Sequence, residues 1–145
     1  MKYKKESFIF SIALLVVIID QLAKLLASKN ITSLPIITNV FHLTYIRNTG
    51  AAFGILQNQQ WLLVWISIIV IGAILYYFDK LPKSKIAWTS IAFILGGTIG
   101  NLIDRIRLNY VIDFLDFRIW PAFNVADSAL TVGAVILIIH LIKKK

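Results

Sequence analysis

The chain has 145 residues, room for one domain, and 59% of them are hydrophobic against 15% charged, a composition that excludes an ordinary soluble protein and points to a membrane. The formal charge of +8 carries no nucleic-acid role with it, because the lysines gather in short caps beside apolar stretches instead of along one polar face. The absence of cysteine removes disulfides, thiol nucleophiles and thiolate-bound metals, and with only two histidines, His42 and His140, and no H-E-x-x-H, a zinc peptidase is excluded as well.

In chain order, Lys2, Lys4 and Lys5 lead into an apolar run over about 8–27, near the length a helix needs to cross ~30 Å of hydrocarbon. Asp20, Gln21 and Lys24 interrupt it where a secretory signal would carry a small-residue cleavage site, so it reads as a retained helix. Residues 28–60 form a long connection. Within it Val40 to Ile46 is β-branched and aromatic, with Phe41, Leu43 and Tyr45 on one face, which predicts a short strand. A second apolar helix covers 61–78, a short basic turn with Pro82 follows, and a third helix covers 86–103. The second long connection, 104–124, contains Val111 to Phe117, a candidate partner for the first strand, and the fourth helix covers 125–142. Lysine clusters at 2–5, 80–85 and 143–145 flank alternate helix ends, which predicts cytoplasmic termini and an outward position for both long connections. Trp61, Trp65, Trp120, Tyr45 and Tyr110 then fit an outer aromatic belt. Arg47, Arg105, Arg107 and Arg118 run against the charge bias and call for specific partners.

Five of the seven acidic residues fall in the outer half. At 1.5 Å per residue Asp20 lies roughly 18 Å above the inner boundary, Asp104 roughly 27 Å and Asp127 roughly 22 Å. Carboxylates at such depth are costly unless paired, solvated or protonated. Asp20 and Lys24, spaced i, i+4, make either an ion pair on the helix surface or a substrate-facing pair. Asp104 beside Arg105 reads as a positioning pair, and Asn124-x-x-Asp127 as a capping box at a helix start. Asp113, among large apolar neighbours in V-I-D-F-L-D-F, has the least structural excuse, while Asp116 fits a solvated interfacial charge. Two carboxyl groups brought together here would share one proton. The ionised one could then activate water while the other protonates a peptide carbonyl, with no metal or cofactor.

Five ordered pieces span the chain: Asp20-Gln-x-x-Lys24; Arg47-Asn48-Thr49-Gly50-Ala51-Ala52-Phe53; Gly96-Gly97-x-x-Gly100-Asn101-x-x-Asp104-Arg105; Val111-Ile112-Asp113-Phe114; and Phe123-Asn124-x-Ala126-Asp127-Ser128. Together they resemble the bacterial lipoprotein signal peptidases, or signal peptidase II. The resemblance implies an aspartic endopeptidase of the cell membrane that removes signal peptides from diacylglyceryl-modified prolipoproteins, without cofactor or metal. It implies Asp113 and Asp127 as the catalytic pair, and Asp20, Lys24, Asn48, Gly50, Asn101, Asp104, Arg105 and Asn124 as supporting or substrate-binding positions. The fold it implies is all-α and membrane-embedded: four transmembrane helices in one domain over 1–145, a small extracytoplasmic sheet, and a short surface helix at Ala51 to Gln60. Partners would be the prolipoprotein substrates and membrane lipid, with no nucleic acid and a monomeric chain. Arg105 could neutralise Asp104. Gly97 and Gly100, about one helical turn apart, would let either a neighbouring helix or the signal helix approach closely. A proton- or ion-coupled transport subunit is the competing reading. It is weakened by the absence of an inverted repeat and of carboxylates in the inner half of helices two to four.

Overall fold

The computed structural model describes residues 2–30, 32–51 and 55–143. Four helices, α1 (Lys2–Asn30), α2 (Gln60–Tyr76), α3 (Lys85–Leu108) and α4 (Val125–Ile142), carry a three-stranded antiparallel sheet at one end. Its strands are β1 (Ser33–Ile37), β2 (Phe41–Asn48) and β3 (Val111–Asp116), in the order β1-β2-β3. Three helices, over Lys4–Lys29, Lys85–Leu108 and Val125–Ile142, are long and apolar enough to cross a membrane, whereas α2 is apolar but has 17 residues.

Helix α3 is the hub. It packs against α4, α1 and α2, and its buried residues run from Ala87 to Asp104. Helix α1 faces it with one stripe, Ile9, Ala13, Val16, Asp20, Lys24 and Ala27, spaced three or four residues apart as one side of a helix requires. The other side, with Phe10, Leu14, Leu15, Ile18, Ile19 and Leu22, stands exposed, as do large apolar side chains of α2 and α4. Such surfaces are stable in hydrocarbon, where apolar side chains gain nothing by turning inward and close contact holds the helices. That contact depends on small residues. A Cβ at Gly100 would lie 2.8 Å from Asp20 Oδ2, and one at Gly97 would meet the Ala126 carbonyl and lie 3.0 Å from Leu130 N. Of the two roles open to these glycines, a neighbouring helix therefore takes the space, and the signal helix finds no groove there.

The sheet keeps the expected pairing of β2 with β3 and adds β1, which the sequence reading left in the connection. β1 is fully exposed, contains Pro35 and pairs only with β2, so it lacks the alternation that marks a half-buried strand. The ladder between β2 and β3 shifts register between Leu43 and Ile46, so one extra residue of β2 bends the strand. α3 runs five residues past the expected 103 and ends on Asn109, a left-handed cap with φ 61° whose N–H donates to Arg105 O. Asp104 and Arg105 thus sit on a helix instead of opening a loop, and Tyr110 alone separates the cap from β3. After β3 the chain doubles back. Phe123 exchanges backbone hydrogen bonds with Leu115, which sets Asn124 at the start of α4 beside β3. Of the expected surface helix, Ala52, Phe53 and Gly54 lie outside the described residues, and 55–58 form turns.

Candidate active site

The site residues that the resemblance implies converge where α1, α3 and the start of α4 meet the sheet, and their carboxylates form two groups with different chemistry. The first surrounds Lys24. Its Nζ lies 2.8 Å from Asp20 Oδ2 and 3.0 Å from Asp104 Oδ2, and donates to Asn101 Oδ1 at 3.0 Å, so its three donors are all used. Lys24, Asp20 and Asp104 are almost wholly buried. Every carboxylate oxygen is engaged as well: Asp20 Oδ1 accepts from Ala126 N, Asp104 Oδ2 from Ile112 N, and Asp104 Oδ1 from Gln21 Nε2. Asp20 and Lys24 therefore make an internal ion pair and are not among the residues that line the cavity beside Asp113 and Asp127. Asp104 forms its ion pair with Lys24 and not with Arg105, because successive residues point about 100° apart around a helix and their side chains leave in different directions.

The second group is Asp113 and Asp127. Asp113 is buried in β3, with Oδ2 accepting from Asn48 Nδ2 at 2.9 Å and Oδ1 from Asn124 Nδ2 at 2.7 Å. Asp127 Oδ1 accepts from Asn101 Nδ2 at 2.7 Å, and Oδ2 from Asn124 N at 3.3 Å. Asn124 Oδ1 takes Asp127 N in return, so the expected capping box is formed and the same Asn124 amide reaches Asp113. Neither carboxylate has an ion-pair partner among the described residues. Burial first, and then the charge on Asp127, push the Asp113 carboxyl up to about 7 against the pull of the Asn48 and Asn124 hydrogen bonds.

Both carboxylates line a cavity of about 720 Å³ together with Asn48, Gly50 and Arg105 and with the apolar residues Ile46, Trp120, Phe123 and Leu130. Gly50 closes the turn after β2, its N–H donating to Asn48 Oδ1 at 2.8 Å, and a Cβ there would lie 2.7 Å from Ile55 O. Arg105 Nη2 makes a long contact of 3.4 Å to Gly50 O, and its buried Nε has no partner among the described residues. A buried guanidinium N–H left over beside two carboxylates can receive a further oxygen.

Other assignments change in place. Asp116 is buried and bonded to Thr44 and Arg118, so it is no free surface charge. Burial opposes its ionisation, but the hydrogen bonds from Arg118 and Thr44 outweigh this and hold the carboxyl below its ordinary value. Tyr45 and Tyr110 join their hydroxyls at 3.1 Å, and Arg47 lies over both rings, so these tyrosines hold an arginine as well as belonging to the aromatic set. Trp120, read as an anchor, stands at the cavity wall. Gln21 received no role from the sequence, although its place inside Asp20-Gln-x-x-Lys24 was the available signal; it ties Asp104 to Gly100 O.

The family model for signal peptidase (SPase) II matches residues 12–143. The chain belongs to the signal peptidase II family. It is 48% identical over 136 residues to a lipoprotein signal peptidase of Halothermothrix orenii, covering 92% of this chain and 94% of that one. It is 47% identical over 149 residues to one of Streptococcus pyogenes, covering 98% and 97%. A bacterial membrane enzyme solved by the in meso method superposes with a TM-score of 0.87 at 36% identity, over 93% of this chain and 87% of that one. The protein is thus an aspartic peptidase of the signal peptidase II type and a multi-pass membrane protein.

Proposed function

We propose that the chain cleaves signal peptides from diacylglyceryl-modified prolipoproteins at the outer face of the cytoplasmic membrane, with Asp113 and Asp127 activating water. The observation that carries this reading is the contrast in charge compensation. Asp20, Asp104 and Asp116 each have a cationic partner, whereas Asp113 and Asp127 open on one cavity held only by amides and backbone. Two such groups share a proton and titrate as a pair. The ionised member takes a proton from water as its oxygen attacks the peptide carbonyl, and the protonated member donates to the carbonyl oxygen. In the second half the roles reverse and the leaving amine is protonated as the C–N bond breaks.

The groups behind the pair orient it. Lys24 has only donors, so Asn101 must turn Oδ1 towards it, leaving Nδ2 for Asp127. Asn124 must turn Oδ1 to Asp127 N, leaving Nδ2 for Asp113. Arg105, with its spare N–H, is placed to hold a substrate carbonyl. In this reading all four helices span the bilayer within one domain, α2 by adding the adjoining turn Phe78–Lys80, and the sheet lies outside with both termini inside. Two acyl chains on the substrate cysteine would hold the scissile bond at the depth of the cavity, converting a search into positioning.

The deciding experiment incubates the purified protein in bilayers with lipidated and unlipidated precursor. Cleavage of the lipidated form is expected to be at least ~100-fold faster. Equal turnover of the two would replace this reading by a general intramembrane peptidase. For topology, Asn58→Cys is expected to react with an impermeant thiol reagent on intact cells and Ser84→Cys is not. Labelling of Ser84→Cys would reverse the orientation.

A further inference from the structure

At the end of the bundle away from the carboxylates there is a second cavity, of about 400 Å³, lined by Lys83, Ser84, His140 and Lys143. It is formed where the start of α3 meets the end of α4, two helices long enough to cross a membrane. Its lining contains no carboxylate. The turn that presents Lys83 and Ser84 is fixed by two hydrogen bonds, Ser84 N and Trp88 Nε1 both donating to Pro82 O at 2.8 Å. Two polar groups are left over. The Ser84 hydroxyl makes no capping hydrogen bond to α3, and His140 Nε2 is buried without a partner among the described residues.

We propose that this cavity binds the phosphate-bearing headgroup of an anionic membrane lipid. Two ammonium groups, a hydroxyl and an imidazole match the oxygens of a phosphate, and basic pockets between helices at a membrane boundary are suited to such headgroups. Free phosphate would satisfy the same donors. The surroundings favour a lipid: Ile86, Ile139, Leu141 and Ile142, each within two positions of a lining residue in the chain, are all exposed and offer apolar surface to acyl chains below the headgroup. With the orientation proposed above, the site faces the cytoplasmic leaflet and occupies none of the residues of the aspartate cavity.

The test is native mass spectrometry of the full-length protein released from bilayers containing phosphatidylglycerol and phosphatidylcholine, with free glycerol phosphate as a competing arm. Retention of one phosphatidylglycerol per protein is expected, falling about 5-fold for Lys83→Gln or Lys143→Gln and about 25-fold for both together. Lys80→Gln, at the same end but outside the lining, is expected to leave retention unchanged. Equal retention by wild type and the double variant, an equal loss with Lys80→Gln, or equal binding of phosphatidylcholine would each overturn the site. Displacement of the lipid by glycerol phosphate at matching concentration would overturn the lipid as its occupant and leave a free-phosphate site.

Discussion

Two clusters of carboxylates lie side by side at the sheet end of this bundle, and they differ in how their charge is compensated. Around Lys24 one buried ammonium is shared by two buried carboxylates, and every carboxylate oxygen there already accepts a hydrogen bond or ion pair from within the protein. At Asp113 and Asp127 the hydrogen bonds are equally short, but the donors are neutral amides and the carboxylates reach a cavity. A cation holds a carboxylate permanently ionised, whereas an amide positions it and leaves its proton exchangeable. The pair proposed to carry the chemistry is the one without the salt bridge.

The largest separation between the clusters is expected from Asp113→Asn and Asp127→Asn. Each should lower kcat about a thousand-fold or more in a cleavage assay on lipidated precursor, while the protein accumulates in the membrane with its thermal midpoint unchanged or raised. Wild-type turnover by either variant would remove the distinction between the clusters. Lys24→Met should act in the opposite sense, on stability first. It leaves Asp20 and Asp104 buried without their cation, at a cost of roughly 3–5 kcal/mol measured by denaturation in micelles. Adding Asp104→Asn should recover part of that loss, and a stable Lys24→Met protein would contradict the internal role of the ion pair.

The pH dependence sharpens the contrast. Asp113 is raised from 3.8 to about 7, so the folded protein binds that proton more tightly than the unfolded chain does. Its contribution to stability is complete below pH 3.8 and is lost as pH rises through about 7. A fall in thermal midpoint over that interval, absent in Asp113→Asn, is the expected result. Cleavage should decline above about pH 7 as the shared proton leaves. The smallest effect is expected from Asp116→Asn, a few-fold at most in kcat/KM with a stability change of about 1 kcal/mol or less, since its partner Arg118 is itself half exposed. An inactive Asp116→Asn beside an active Asp113→Asn would exchange the two residues in the proposed pair.

Local rules carried much of this in advance. The alternation of β2, the start of α4 and its capping box, and the i, i+4 pair in α1 each depend on residues within a turn or a strand, where spacing dictates geometry. The membrane class was equally plain, because composition along a helix determines which solvent it tolerates. What a local rule could not supply was choice among partners. Adjacency in the chain suggested Arg105 for Asp104, yet the helix turned them apart and brought Lys24 from 80 positions away in the chain (104 minus 24) to within 3.0 Å of Asp104. The space beside Gly97 and Gly100 was legible as space, but only packing shows that α4 and Asp20 fill it. Motif and resemblance together singled out ten positions, nine of them with polar side chains. The division of their carboxylates into two that share a lysine and two held by amides is a property of three-dimensional neighbours alone.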